Sequence, residues 1–201
     1  MPNAIFIYLH GFLSSPQSAK AQQLVQFIQS QNLPIDYRVP ELLEEPHLAL
    51  AEAEKAIQQA RAENNVVGLI GSSMGGFYAT VLAERYAVRA VLINPSVLPH
   101  LRFHDYIHGA GGEMMNPYSG RRFTLGERDV AALAAMVPEK LTRLKNYWLL
   151  AQSGDEVLDY RDAVAYYAGC KQTIEAGGDH QFQGFERYLP ELVNFLQLPI
   201  A

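Results

Sequence analysis

Short apolar runs alternate along the chain with longer amphipathic ones. Runs at 5–9, 35–39, 66–71, 88–93, 147–151 and 171–175 read as strands of about five residues. Segments 17–31, 46–62, 75–86, 160–167 and 187–197 carry helical spacing. In 46–62 the spacing predicts Leu48, Ala51, Ala56 and Ile57 on one face, with Glu52, Lys55 and Gln59 toward water. Strand–helix alternation predicts the α/β class, with a mostly parallel sheet covered by helices on both faces. Right-handed crossovers then leave few topologies. No repeat, low-complexity tract or linker interrupts the pattern.

One interval breaks the rhythm. From Ser96 to Lys145 roughly fifty residues separate the fourth and fifth strands, far more than a crossover needs. The interval holds three histidines (His100, His104, His108), a break at 109–112, Asn116-Pro117-Tyr118-Ser119-Gly120, and a helix-like run at 127–136. An insertion of this size predicts a lid or pocket wall, a small helical cap over 96–145, within a single domain spanning 1–201. A surface embellishment is the plain alternative.

Composition narrows the class. With 201 residues the chain is long enough for one well-buried core. Apolar residues at 49% and charged residues at 18% exclude an intrinsically disordered chain. A net charge of −5 argues against a nucleic-acid binder driven by phosphate neutralisation. The lone Cys170 excludes an intramolecular disulfide or a multi-cysteine metal site, and reads as a small buried hydrophobe. The first residues carry no basic segment followed by a long apolar one, and the longest apolar run, 130–137, is far short of the ~20 residues that span a bilayer. The expectation is a cytoplasmic protein without membrane association.

The strongest chemical signal is Gly71-Ser72-Ser73-Met74-Gly75, directly after a strand and before a helix. This is the context of a nucleophile elbow, in which a sharp reversal exposes a serine hydroxyl above the sheet. The glycines settle the register, because Ser72 as nucleophile requires glycines where Ile70 and Met74 stand. Ser73 is therefore the candidate nucleophile. Acyl transfer also needs a base, a carboxylate to orient it, and donors for the oxyanion. Asp155, in Ser153-Gly154-Asp155-Glu156-Val157, follows the fifth strand; His180, in Gly177-Gly178-Asp179-His180-Gln181, follows the sixth. Both loops lie at the carboxyl edge where open α/β sheets place their sites, in the order Ser, acid, His.

In a strand order of 2-1-3-4-5-6, a crevice opens between the first and third strands. There Tyr8-Leu9-His10-Gly11-Phe12 ends the first strand. The backbone N–H groups of Phe12 and Met74 are predicted to form the oxyanion hole, helped by the partial positive charge at the helix N-terminus.

These residues resemble the α/β-hydrolase superfamily, specifically the small bacterial YqiA-type esterases. The resemblance is carried by Tyr8-Leu9-His10-Gly11-Phe12 with Ser14-Ser15-Pro16, Gly71 to Gly76, Asn94-Pro95, Asn116-Pro117-Tyr118, Gly154-Asp155-Glu156-Val157 and Gly178-Asp179-His180, and it spans nearly the whole chain. It implies a three-layer hydrolase core and a serine esterase or thioesterase acting on simple acyl esters without a cofactor. The triad carries over to Ser73, Asp155 and His180. The His-rich stretch of the insertion departs from the family pattern, which bears on pocket shape.

Rival readings accompany these. Glu156, Asp159 and Asp162 compete with Asp155, Asp159 also fitting an N-cap; Asp179 reads as a solvated loop residue. His10 either orients the oxyanion loop or is a satisfied structural histidine. His100, His104 and His108 align on one helix face, but the outer two lie about 12 Å apart by helical rise, which disfavours a single metal centre. The Arg121-Arg122 pair and Lys140, Arg143 and Lys145 read as a solvated basic face, or else steer an anionic substrate. At the level of function, the alternative to an esterase is a sensory or binding protein on a hydrolase scaffold.

Overall fold

The apolar runs of the sequence become one large sheet in the computed structural model, which describes residues 4–63, 66–109 and 113–197. The elements are β1 (Ala4–Leu9), α1 (Ala19–Ser30), β2 (Ile35–Arg38), α2 (Pro46–Ala62), β3 (Val66–Ser72), α3 (Met74–Tyr86), β4 (Arg89–Ile93) and α4 (Pro99–Gly109). They continue with β5 (Glu113–Met115), β6 (Arg122–Thr124), α5 (Glu127–Met136), β7 (Tyr147–Gln152), α6 (Tyr160–Tyr166), β8 (Lys171–Glu175) and α7 (Leu189–Gln197). Six strands pair in parallel in the order β2-β1-β3-β4-β7-β8. Counting only these six, the order is the 2-1-3-4-5-6 that places a crevice between β1 and β3.

Alternating side chains of the central strands feed two cores. Ile5, Ile7 and Leu9 of β1 face α2, α3 and α6, packing with Leu50, Phe77 and Tyr167. Phe6 and Tyr8 face α1 and α7, packing with Leu24 and Leu192. Every residue of β1, β4 and β7 is buried, as parallel strands covered on both faces must be. Each fully buried large aliphatic side chain contributes about 1.5–3 kcal/mol.

Two expectations need correction. The buried stripe of α2 is Ala49, Leu50, Ala53, Ala56, Ile57 and Ala60, while Ala51 faces water. Ala56 and Ile57 lie on it as expected, but in the first turns the helix sets Ala49 and Leu50 against the sheet and leaves Leu48 half-buried. The insertion is also not purely helical. Between α4 and α5 the antiparallel hairpin β5–β6 pairs Glu113 with Thr124 and Met115 with Arg122. Strands of three residues with mixed polarity are too short to show a two-residue period. Helix α5 packs on α4 and on α2, anchoring the insertion to the core. No described helix is long and apolar enough to cross a membrane.

Candidate active site

The site begins with one strained residue. β3 ends at Ser72 and α3 starts at Met74, so Ser73 makes the whole reversal, at φ 55° and ψ −122°. A positive φ at a residue with a Cβ costs of order 1–3 kcal/mol and persists only where its surroundings enforce it. Here the Ser73 N–H donates to Ile93 O at 3.0 Å, and the Ser73 carbonyl accepts from Gly76 N (2.9 Å) and Ser96 N (3.1 Å). Backbone approaches so closely that a Cβ at Gly71 would overlap the Gly75 carbonyl, and one at Gly75 would overlap the Leu9 carbonyl.

His180 and Asp155 reach this turn from loops at the same sheet edge. His180 Nδ1 lies 2.9 Å from both Asp155 carboxylate oxygens, and Nε2 lies 3.1 Å from Ser73 Oγ. An ionised carboxylate only accepts, so Nδ1 carries the proton and Nε2 is free to accept from the serine hydroxyl. The Asp155 side chain is 2% exposed and the imidazole 15%. Burial opposes ionisation of Asp155. Hydrogen bonds from His180 and from the N–H groups of Leu158 and Val157 outweigh it and hold the carboxyl below the usual carboxylate range. The rival acids sit elsewhere. Glu156 accepts the backbone N–H of His180 at 3.0 Å. Asp159 caps α6 through the N–H of Arg161, and Asp162 lies in that helix's first turn. Asp179 is half-buried rather than solvated, because its loop folds inward: Oδ2 accepts from Gln183 at 2.6 Å, while Oδ1 is buried without a hydrogen bond.

Phe12 and Met74 line one small cleft together with His10 and Gly11. His10 is 2% exposed. Its Nε2 accepts the Leu42 N–H at 3.2 Å, so its Nδ1–H donates to Gly11 O at 3.0 Å. Burial pushes this imidazole below its ordinary value, against the opposing pull of the Gly11 carbonyl, Glu41 and Glu44. His10 is thus satisfied at both nitrogens and also fixes the loop carrying Phe12. The same loop is tied to the insertion, since Asn116 Nδ2 reaches Ser14 O (3.3 Å) and Glu44 (2.7 Å). Arg121 is not part of a free basic face. It forks onto Glu44 and Glu45 because those carboxylates are largely buried beside it, and Arg122 pairs with Glu113 at 2.7 Å.

Beside the elbow lies a hollow of about 470 Å³ lined chiefly by Val97, Leu98, Leu101, Leu158, Ala165 and Tyr166, with the charged Arg102, Asp159 and Asp162 also on its wall. It borders both halves of the site, through Ser96, which bonds Ser73, and Leu158, which bonds Asp155. His100 has a buried Nδ1 without a hydrogen bond; the side chains of His104 and His108 lie outside the described residues. Cys170 is half-buried, and burial together with the Glu84 charge pushes its thiol up to about 11, away from thiolate chemistry. Three residues around the histidine loop, Lys20, Asn94 and Gln152, gave no local motif with a role. The signals present are Asn94-Pro95, which belongs to the family resemblance without a role, and the spacing of Lys20, four and eight from Leu24 and Ile28 on the buried stripe of α1.

The chain matches, over residues 5–197, the family described as "Uncharacterised protein family (UPF0227)". UPF0227 proteins of Yersinia pseudotuberculosis and Yersinia pestis are 32% identical over 96 residues, covering 47% of this chain and 52% of theirs. The chain thus spans about half the length of the curated relatives it matches. Among solved structures it is similar to Est1E from Butyrivibrio proteoclasticus, also known with ferulic acid bound (TM-score 0.71, 14% identity, 96% of this chain and 87% of that one). It is similar to a chain of the metagenome-derived lipolytic enzymes LipS and LipT (0.72, 16%, 98% and 94%). It is also similar to mouse alpha/beta hydrolase domain-containing protein 10 (0.68, 15%, 96% and 90%). At such identities the likeness establishes the fold. With the family match spanning the sheet from β1 to α7, the chain belongs to the UPF0227 family and has the α/β-hydrolase fold.

Proposed function

We propose that the protein is a serine hydrolase that cleaves small-molecule carboxylic esters or thioesters through an acyl-enzyme. Ser73 Oγ attacks the carbonyl carbon as His180 Nε2 takes its proton. Collapse of the tetrahedral intermediate breaks the bond to the leaving oxygen or sulfur, which receives that proton. Water, deprotonated in turn by His180, attacks the acyl carbon, and the bond to Ser73 Oγ breaks as His180 returns that proton to it, releasing the acid. Asp155 keeps the imidazole in the accepting tautomer, and no cofactor enters the cycle. The N–H groups of Phe12 and Met74 take the oxyanion, where one donor is typically worth ~3–4 kcal/mol.

The observation that carries this reading is the unbroken chain Asp155–His180–Ser73, with its proton directions fixed by the carboxylate. The apolar hollow beside Ser96 supports an acyl chain as the group accommodated there. The likeness to Est1E, a protein seen with ferulic acid, supports a small-molecule ester. The test is hydrolysis of p-nitrophenyl acetate and butyrate by the wild type and by Ser73→Ala. Turnover by the wild type and its loss in a folded Ser73→Ala variant is the expected result. Retained turnover in that variant overturns the reading. A folded wild type that binds esters without turnover would favour a sensory protein.

A further inference from the structure

Between β8 and the 3-10 turn at Phe185–Tyr188 the chain has no regular structure, and His180 sits in the middle of this loop. Side chains from four other segments hold its backbone. Asn94, at the end of β4, donates from Nδ2 to Asp179 O (2.9 Å) and His180 O (3.2 Å), while its Oδ1 accepts the Gln152 N–H (3.0 Å). Gln152, at the end of β7, accepts from Asp179 N (3.2 Å) and Gln183 N (2.8 Å) and donates to Gln183 O (2.8 Å). Glu156 accepts from His180 N. From the opposite side, Lys20 in the first turn of α1 donates to Gln181 O at 2.8 Å.

Lys20 is the member that stability does not explain. It lies on the buried stripe of α1 with Ala21, Leu24 and Ile28, and it is 8% exposed. Among the described residues it is in no ion pair, and its one hydrogen bond goes to the neutral carbonyl of Gln181. A buried ammonium held this way is costly. The charges that face it are Asp179, in the histidine loop, and Asp155, in the loop after β7. Methionine would fill the same space without the penalty, yet it would leave the Gln181 carbonyl unheld one residue from the imidazole.

We infer that Lys20 is a positioning residue for His180: its buried ammonium fastens the Gln181 carbonyl and keeps the imidazole within reach of both Asp155 and Ser73. Asn94 and Gln152 set the loop's course from the sheet side, and Lys20 closes it from the helix side. Burial pushes the ammonium down to about 8, against the pull of Asp179 and Asp155, so at neutral pH the bond is still charge-assisted. The inference rests on the hydrolase reading for its kinetic consequence but not for its structural one.

The test compares the wild type with Lys20→Met by two readouts. The first is the downfield proton resonance of the His180 Nδ1–H···Asp155 bond, which needs no turnover. The second is kcat and KM on p-nitrophenyl butyrate. The expected result is a broadened or lost resonance and a kcat lower by about tenfold, with KM within about twofold and an unchanged or raised melting temperature. A resonance and a kcat both like the wild type's overturn the inference. So does a kcat loss matched by loss of folded protein with the resonance intact. Loss of the resonance in a protein that never hydrolysed esters would sustain the role of Lys20 and sink the hydrolase reading alone. Should Lys20→Met fail to fold, Lys20→Leu, which likewise has no donor for the Gln181 carbonyl, is read by the same two criteria.

Discussion

His180 Nε2 stands 3.1 Å from Ser73 Oγ although 107 positions separate the two residues in the chain. The sheet makes this meeting possible. β3 delivers Ser73 to the carboxyl edge, and β8, three strands away in the order β3-β4-β7-β8, delivers His180 to the same edge. The histidine loop must therefore reach back across two strands, which is why Asn94 at the end of β4 and Gln152 at the end of β7 are the residues that support it.

The tautomer of His180 depends on Asp155. In Asp155→Asn the amide can turn its NH2 toward Nδ1, which then accepts, leaving the proton on Nε2 facing Ser73. We expect kcat on p-nitrophenyl butyrate to fall by about 10³–10⁴-fold with little change in melting temperature. A loss under tenfold would mean that this carboxylate does not set the tautomer.

The elbow tolerates no added atom. A Cβ at Gly75 would overlap the Leu9 carbonyl carbon and oxygen, both backbone atoms of a fully buried strand, so no rotamer change relieves the clash. Gly75→Ala is expected to destabilise the protein by more than about 3 kcal/mol, read as a lowered denaturation midpoint or loss of soluble protein. Wild-type stability in this variant would contradict the geometry of the turn.

Ala165 offers a test of the proposed acyl site, since it is exposed and lines the hollow beside Ser96. Ala165→Trp should leave stability near wild type while filling the hollow. Each methylene excluded from an apolar pocket costs about 1 kcal/mol, so kcat/KM for octanoate esters should drop by at least about tenfold relative to acetate. Equal loss on both esters would place the acyl chain elsewhere.

The buried ammonium of Lys20 has a thermodynamic signature of its own. In the folded protein it releases its proton near pH 8, against an unperturbed value of 10.5. Between those values the unfolded chain binds more protons, so this group's contribution makes wild-type stability rise with pH from about 8 to 10.5 and leaves a constant cost below pH 8. Lys20→Met should therefore be more stable than the wild type at pH 7, by on the order of 1–3 kcal/mol once the lost bond to Gln181 is discounted. The gap should close as pH approaches 10.5, as denaturation at several pH values would reveal.

Much of this architecture is legible in the residues because it is local. Short apolar runs mark strands buried on both faces, and Pro46 opens α2 where helix spacing begins. Ser73 stands out because the turn needs glycine at 71 and 75, and Asp155 and His180 because loops after strands collect at one edge. What was hidden is long-range or too short to have a period. The β5–β6 hairpin has three residues per strand. Arg121 reads as surface charge until Glu44 and Glu45 are folded against it. The support of the histidine loop by Asn94, Gln152 and Lys20 consists of side chain-to-backbone bonds, whose partners neither the Asn94-Pro95 motif nor the helical spacing of Lys20 names.

The proposed hydrolase activity requires Ser73 to be a nucleophile activated by His180. Labelling with a fluorophosphonate probe, followed by mass spectrometry of the intact protein and its peptides, tests it most directly. The expected result is one phosphonate adduct per chain, on the peptide containing Ser73, formed slowly or not at all in a folded His180→Ala variant. A folded wild type that remains unlabelled, or an adduct on another residue, would contradict it.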